Sequence, residues 1–224
     1  YLSSWGIENR MKAGNQARID IRGAKQDVWM SFMKNDEAIN IAYSSKFARS
    51  SNYWKNSIGM NNAIIKLSIV DRKKAEEKEF AEWVNKNDHR KAKYGNVLSD
   101  LEEGYVKSYP SNRALMYLRE SLAGGTELPR IAAQFEMLWN KNIGKDSIMK
   151  EATEIYKDYY QTVDQETFAV MLEEYKKAVD ANALPEVYTT IKKKFKGDYS
   201  KYVKWLLAKS AFSNQEKFTK TLQA

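Results

Sequence analysis

Apolar residues recur at helical intervals along nearly the whole of this 224-residue chain, and no run alternates strictly between apolar and polar. That period admits rods packed on rods and leaves no strand from which to build a sheet. Three prolines and ten glycines are too few for an all-β protein full of tight turns. The expectation is an all-α fold, an irregular multi-helix domain of about nine or ten helices. Residues 1–224 read as a single domain without a linker, and no fixed-period repeat suggests a solenoid.

Local signals place the boundaries. A helix is expected from Ile7 to about Met33, with Asn35-Asp36 as break and N-cap. A long helix from Glu37 to Leu67 follows. Asp71 starts a charged helix carrying Phe80, Trp83 and Val84, and another run spans His89 to Val106. Pro110 marks a boundary, and the helix with Leu115, Met116, Leu118 and Leu122 ends at Gly124-Gly125. Thr126 and Pro129 open a helix through Phe135 and Trp139 that closes near Gly144, and Asp146 caps the next. Thr162 with Gln165 and Ser213 with Glu216 fit capping boxes. Pro185 opens a helix, and Gly197-Asp198 is a stop followed by a start.

The net charge of +8 raises the question of nucleic acid. Lysines alternate with glutamates, however, as in DRKKAEEKEFAEW, where opposite charges fall three and four apart on a solvated helix face. The densest cluster, Lys192-Lys193-Lys194-Phe195-Lys196, suits the C-terminal end of a helix dipole. No nucleic-acid partner is expected. Absence of cysteine excludes disulfides and thiolate metal sites. No apolar stretch reaches the roughly 18 residues of a membrane span. The start Tyr1-Leu2-Ser3-Ser4-Trp5 has neither an initiator Met nor a signal-like pattern, and reads as the interior of a longer protein.

Little here could carry catalysis. The one histidine, His89, lies in the charged run Lys86-Asn87-Asp88-His89-Arg90-Lys91 and reads as a solvated surface residue. No GxSxG elbow accompanies it. Zinc motifs and a phosphate-cradling glycine loop are missing, and nothing singles out a carboxylate pair. No catalytic residue, metal or cofactor is expected in this segment.

The unusual stretch is SSNYWKNSIGMN, residues 50–61. Winding the Glu37–Leu67 helix at about 100° per residue separates two faces. Tyr43, Phe47, Trp54, Ile58 and Ile65 form one apolar stripe. Opposite them lie Ser45, Ala48, Asn52, Asn56, Gly59 and Ala63, a shallow face whose polar groups are amides. Such a face either packs against a neighbouring helix, with small residues permitting close approach, or lines a cleft. In a cleft, an asparagine offers an uncharged acceptor and two donors on a rigid element, suited to a ligand ammonium or carbonyl.

At these residues the chain resembles a known family. RGAKQDVWMSFMKNDEAINIAYSSKFARSSNYWKNSIGMN is similar to the helical domain of the bacterial dipeptidyl-peptidase 7 and 11 family, chymotrypsin-type serine exopeptidases. The specific part is Tyr43-Ser44-Ser45-Lys46 followed by Ser51 to Asn61. The likeness continues more loosely to Trp83, from Leu98 to Tyr105 and from Tyr117 to Ala123. It implies an all-helical cap inserted in a double β-barrel that holds the catalytic His, Asp and Ser, so this segment alone would be inactive. It also implies an enzyme that removes dipeptides from oligopeptide N-termini, in the periplasm or at the cell surface of a Gram-negative bacterium. A homodimer is one assembly it suggests for the full-length enzyme. In the family an asparagine of the helical domain helps hold the substrate α-amino group, a role that maps onto Asn52, with Asn56 second. Ser45, Gly59 and Tyr53 would share that face, and Trp54 would be core. Side-chain preference is set in the barrel. The rival reading is a stand-alone helical module that docks a peptide or partner helix through the same face.

Overall fold

The computed structural model describes residues 2–223, in which every regular element is helical; Tyr1 and Ala224 lie outside the described residues. The first rod joins α1 (Ser4–Asn9), a π-helical turn (Arg10–Asn15) and α2 (Gln16–Met33). Next come α3 (Glu37–Lys66), α4 (Ile69–Asn85), α5 (Asp88–Tyr94) and α6 (Val97–Leu118), which runs into a second π turn, Arg119–Ala123. Then follow α7 (Leu128–Asn140), α8 (Lys145–Lys157), α9 (Gln161–Ala178), a 3-10 turn (Ala181–Ala183), α10 (Glu186–Phe195), α11 (Tyr199–Lys209) and α12 (Gln215–Gln223). Counted as continuous rods longer than the seven-residue α5, the described residues hold ten, in keeping with the all-α expectation.

Several ends are as the sequence indicates. Asp36 caps α3 by accepting from Ile39 N, Asp198 caps α11 by accepting from Lys201 N, and Pro185 precedes α10. Others differ. α6 runs straight through Pro110, whose missing N–H leaves the Val106 carbonyl without its helical donor. Both residues are exposed, which leaves that carbonyl open to solvent. The run from His89 to Val106 is two helices: the Gly95 N–H closes α5 on the Lys91 carbonyl, and the Asn96 carbonyl begins α6 by accepting from Asp100 N. Asp71 lies inside the first turn of α4, which begins at Ile69 after Ser68 in a left-handed conformation (φ 48°). Asp146 likewise lies inside α8, with Gly144 at the N-cap.

Neither capping box forms. The Ser213 hydroxyl turns back to the Ser210 carbonyl, and Asn214 caps α12 through Lys217 N. α9 starts at Gln161, ahead of Thr162, without a side-chain cap. Its first-turn carboxylate, Asp164, serves a different helix, accepting from Glu127 N (2.6 Å) and Leu128 N (2.8 Å) at the start of α7. Thr126 does not cap α7, because its hydroxyl donates to the Leu122 carbonyl.

The main core centres on α9, where Phe168, Met171, Leu172 and Tyr175 meet Ile21, Tyr117, Ile191, Val203 and Leu207. A second cluster joins Ile131 and Phe135 to Ile148, Tyr156, Phe218 and Leu222. A third, smaller one holds Trp29, Ile39, Tyr43 and Val163. What positions the site is the antiparallel pair α2–α3. Asn15 Nδ2 donates to Asn61 Oδ1 at one end (2.7 Å), and Trp54 Nε1 reaches over Gly23 to the Ile19 carbonyl (3.1 Å) in the middle. At the other end Trp29 meets Tyr43 edge-on, with ring centroids 5.4 Å apart.

Candidate functional site

The buried line of α3 runs through Ile39, Tyr43, Ser50 and Ser57, so two serines lie where aliphatic side chains are usual. Phe47, Trp54 and Ile58 flank this line half-buried, and Ile65, expected on the apolar stripe, is 66% exposed. The stripe therefore covers the first turns and fades towards the C-terminal end. Small serines let α3 approach α2 closely, which is also what Gly23 permits under Trp54.

The opposite face is turned outward. Ser45, Ala48, Asn52, Asn56, Gly59 and Ala63 are all exposed, so among the described residues the amide face packs against no helix. Their small size therefore serves no helix–helix contact among the described residues. Ser45, Arg49, Asn52 and Asn56 recur at intervals of four, three and four and make one line along the rod. Tyr53 is exposed beside it, with the Arg22 guanidinium 5.0 Å from its ring centroid.

The upstream half of that line borders a groove of about 520 Å³. α2 supplies Arg22, Lys25 and Trp29 to its wall, and α3 supplies Ser45, Lys46, Arg49 and Ser50. The remaining wall is the corner 124–130 between the second π turn and α7, with Glu127 and Arg130 at its end. Of the sequence-predicted site residues, only Ser45 lines this groove; Asn52, Asn56 and Gly59 continue past it. The corner requires glycine at 125, where a Cβ would lie 2.3 Å from the Ser121 carbonyl oxygen and 2.6 Å from that of Glu120.

Five cations and one carboxylate line the groove, and most of the cations are committed. Arg22 donates to Glu120 (2.8 Å). Glu127 gathers Lys46 (2.7 Å), Arg130 (3.4 Å) and the Tyr43 hydroxyl, and Lys46 also donates to the Asp158 carbonyl. Beneath them Asp164 is pushed up to about 6, first by burial, with the charge of Glu127 adding to the shift.

Lys25 differs. It is 5% exposed, its ammonium lies 5.0 Å from the Trp29 ring centroid, and among the described residues no carboxylate is in ion-pair range. Burial, reinforced by the charge of Arg22, brings it down to about 8. Ser50, also on the groove wall, is 3% exposed and its hydroxyl has no hydrogen-bond partner. Arg49 is exposed and, among the described residues, in no ion pair. Sequence reasoning missed Lys25, although a signal exists: Ala17, Ile21, Lys25 and Trp29 recur every four residues, placing a lysine on the buried stripe of α2.

The model of the family described as Peptidase S46 matches residues 1–224. The chain belongs to the peptidase S46 family. This S46 chain is 41% identical to the dipeptidyl-peptidase 7 of Porphyromonas gingivalis over 100% of its own length and 32% of that protein's. It is 40% identical to the dipeptidyl-peptidase 7 of Porphyromonas endodontalis over 94% of its own length and 26% of that protein's. A crystal structure of Porphyromonas endodontalis DPP11 in complex with the dipeptide Arg-Glu matches with a TM-score of 0.78. That match has 24% identity and covers 100% of this S46 chain and 33% of that one. The chain thus spans about a third of the length of the curated relatives it matches.

Proposed function

We propose that the chain is the substrate-capping helical domain of a serine dipeptidyl peptidase that releases N-terminal dipeptides from oligopeptides. The observation that carries this reading is the outward-facing amide line of α3, in an S46 chain that spans a third of its dipeptidyl-peptidase relatives. A row of side-chain amides exposed beside a groove does little for this fold and much for a ligand.

On this reading Asn52, with Asn56 next to it, offers a carbonyl oxygen to the substrate's α-ammonium, which has a pKa near 8 and is mostly charged at neutral pH. Removal of dipeptides requires a stop at a fixed distance from the scissile bond, and an amine acceptor on a rigid helix supplies it. A blocked N-terminus would leave polar groups unpaired once the closed cleft buries them, and be rejected. Ser45, Tyr53 and Gly59 shape the surrounding face. The catalytic His, Asp and Ser reside in a β-barrel domain of the same enzyme, over which the helical domain closes to exclude water. The enzyme works in the periplasm or at the cell surface of a Gram-negative bacterium, and a homodimer is the assembly proposed for the full-length protein.

The test is Asn52→Ala in the full-length enzyme, assayed on dipeptidyl substrates with a free amine. A loss of about tenfold or more in kcat/KM, equivalent to about 1.4 kcal/mol, is expected. Activity within about twofold of the parent would overturn the assignment.

A further inference from the structure

We infer that the groove between α2, α3 and the corner 124–130 binds a carboxylate group of an oligopeptide, held by Lys25, Ser50 and Arg49. The inference deepens the capping reading and rests on it for the peptide nature of the ligand. Its own grounds are geometric. Lys25 and Ser50 line the same groove from two helices, each residue more than nine-tenths buried; among the described residues Lys25 is in no ion pair and the Ser50 hydroxyl has no hydrogen-bond partner. A lysine this deeply buried with no ion pair and a buried hydroxyl with no partner both cost free energy until something pairs with them. A carboxylate satisfies both, because it accepts from several donors at once. Arg49, adjacent to Ser50 and in no ion pair among the described residues, closes the set from the rim. The other three cations of the groove already hold Glu120 or Glu127, so the unspent charge sits on Lys25 and Arg49.

The choice of carboxylate over phosphate follows from the backbone. Phosphate sites enlist several main-chain N–H groups, typically at a glycine turn or helix N-terminus. Four of the corner's donors are spent here. The Gly124 and Gly125 N–H groups both turn back to the Ser121 carbonyl, and those of Glu127 and Leu128 go to Asp164. Two cations and a hydroxyl remain, donors that the two oxygens of a carboxylate accept from together. The Trp29 ring and a volume of about 520 Å³ leave room for the aliphatic stem of an acidic side chain or the end of a peptide.

The test titrates the full-length protein, its catalytic serine replaced by alanine to prevent turnover, calorimetrically with oligopeptides that all carry the same free amine, so that the Asn52 contact cancels within each matched pair. Matched pairs compare an internal Glu with Gln, and a free C-terminal carboxylate with its amide. The acid of at least one pair should bind about tenfold more tightly than its neutral partner, and which pair responds identifies the source of the carboxylate. Lys25→Met should abolish that difference, and Ser50→Ala and Arg49→Gln should each reduce it about threefold or more, with circular dichroism confirming that the variants fold. Equal binding of acid and neutral partners, an unchanged difference in Lys25→Met, or inorganic phosphate binding as tightly as the peptide acid overturns the inference. These outcomes are independent of the Asn52→Ala assay, so either reading can fail while the other survives.

Discussion

The Tyr43 hydroxyl donates to Glu127 Oε1 at 2.5 Å, fastening α3 to the corner that precedes α7. Tyr43 is completely buried, and burial together with Glu127 raises its phenol far above the usual range, so it stays a donor at every working pH. Glu127 is also on the groove wall. Tyr43→Phe removes the hydroxyl and leaves the ring, so the Glu127 carboxylate loses one of its donors. A loss of about 1–3 kcal/mol is expected, read from urea unfolding followed by far-ultraviolet circular dichroism. An unchanged midpoint would show that Lys46 and Arg130 alone suffice for Glu127.

Lys25 destabilises the fold that contains it. Its folded-state value, about 8, lies below the ordinary 10.5, so between those values the folded state binds fewer protons than the unfolded chain. Stability attributable to this group therefore rises with pH across that window and is lowest at neutrality. Lys25→Met should stabilise at neutral pH by about 1–2 kcal/mol, once the lost contact with the Trp29 ring is subtracted. The gain should vanish in strongly alkaline buffer. Destabilisation at neutral pH would mean that the ammonium is paired.

Asp164 responds in the opposite sense. Its carboxyl is raised from 3.8 to about 6 by burial, so the folded state binds more protons than the unfolded chain between those values. The stability it contributes is largest in acid and falls as pH climbs from about 4 to beyond 6. In Asp164→Asn that dependence disappears. The difference in unfolding free energy between parent and variant should shrink by about 1–3 kcal/mol over the window. Urea midpoints at successive pH values measure it, and a difference that widens towards neutrality would contradict the assignment.

Pro110 interrupts the bonding of α6 without bending its course into a boundary. Pro110→Ala restores the N–H that the Val106 carbonyl lacks and removes a strong helix breaker. A gain of about 1–3 kcal/mol is expected, partly offset by the freer unfolded chain. Slower amide hydrogen exchange around residues 106–110 would be the local signature.

Helix content was legible in the sequence because the apolar period is a property of each segment taken alone. Ends were less so, since an end is decided by whichever group reaches it first. Thr162 has the right neighbours for a box, yet Asp164 beside it caps α7 and α9 starts one residue earlier. Ser213 is displaced by Asn214 in the same way. The amide face of α3 was readable from rotation alone, and its exposure agrees. The groove was not readable, because its walls come from residues 22–29, 45–50 and 124–130, whose proximity is a tertiary fact. Lys25 carried a hint in its four-residue spacing with Ile21 and Trp29, but charged residues on buried stripes usually find a counter-charge, and this one has none in ion-pair range among the described residues.

The widened turn at Arg119–Ala123 works as a gear setting the heading of everything after it. One residue more or fewer in that turn would swing the outgoing chain through about 100°. Arg130 and Glu127 would then face away from Lys25, and Asp164 would lose the two amide hydrogens it holds. Length at this spot is therefore less forgiving than residue identity, and a single-codon deletion there should do more damage than most exchanges of side chain.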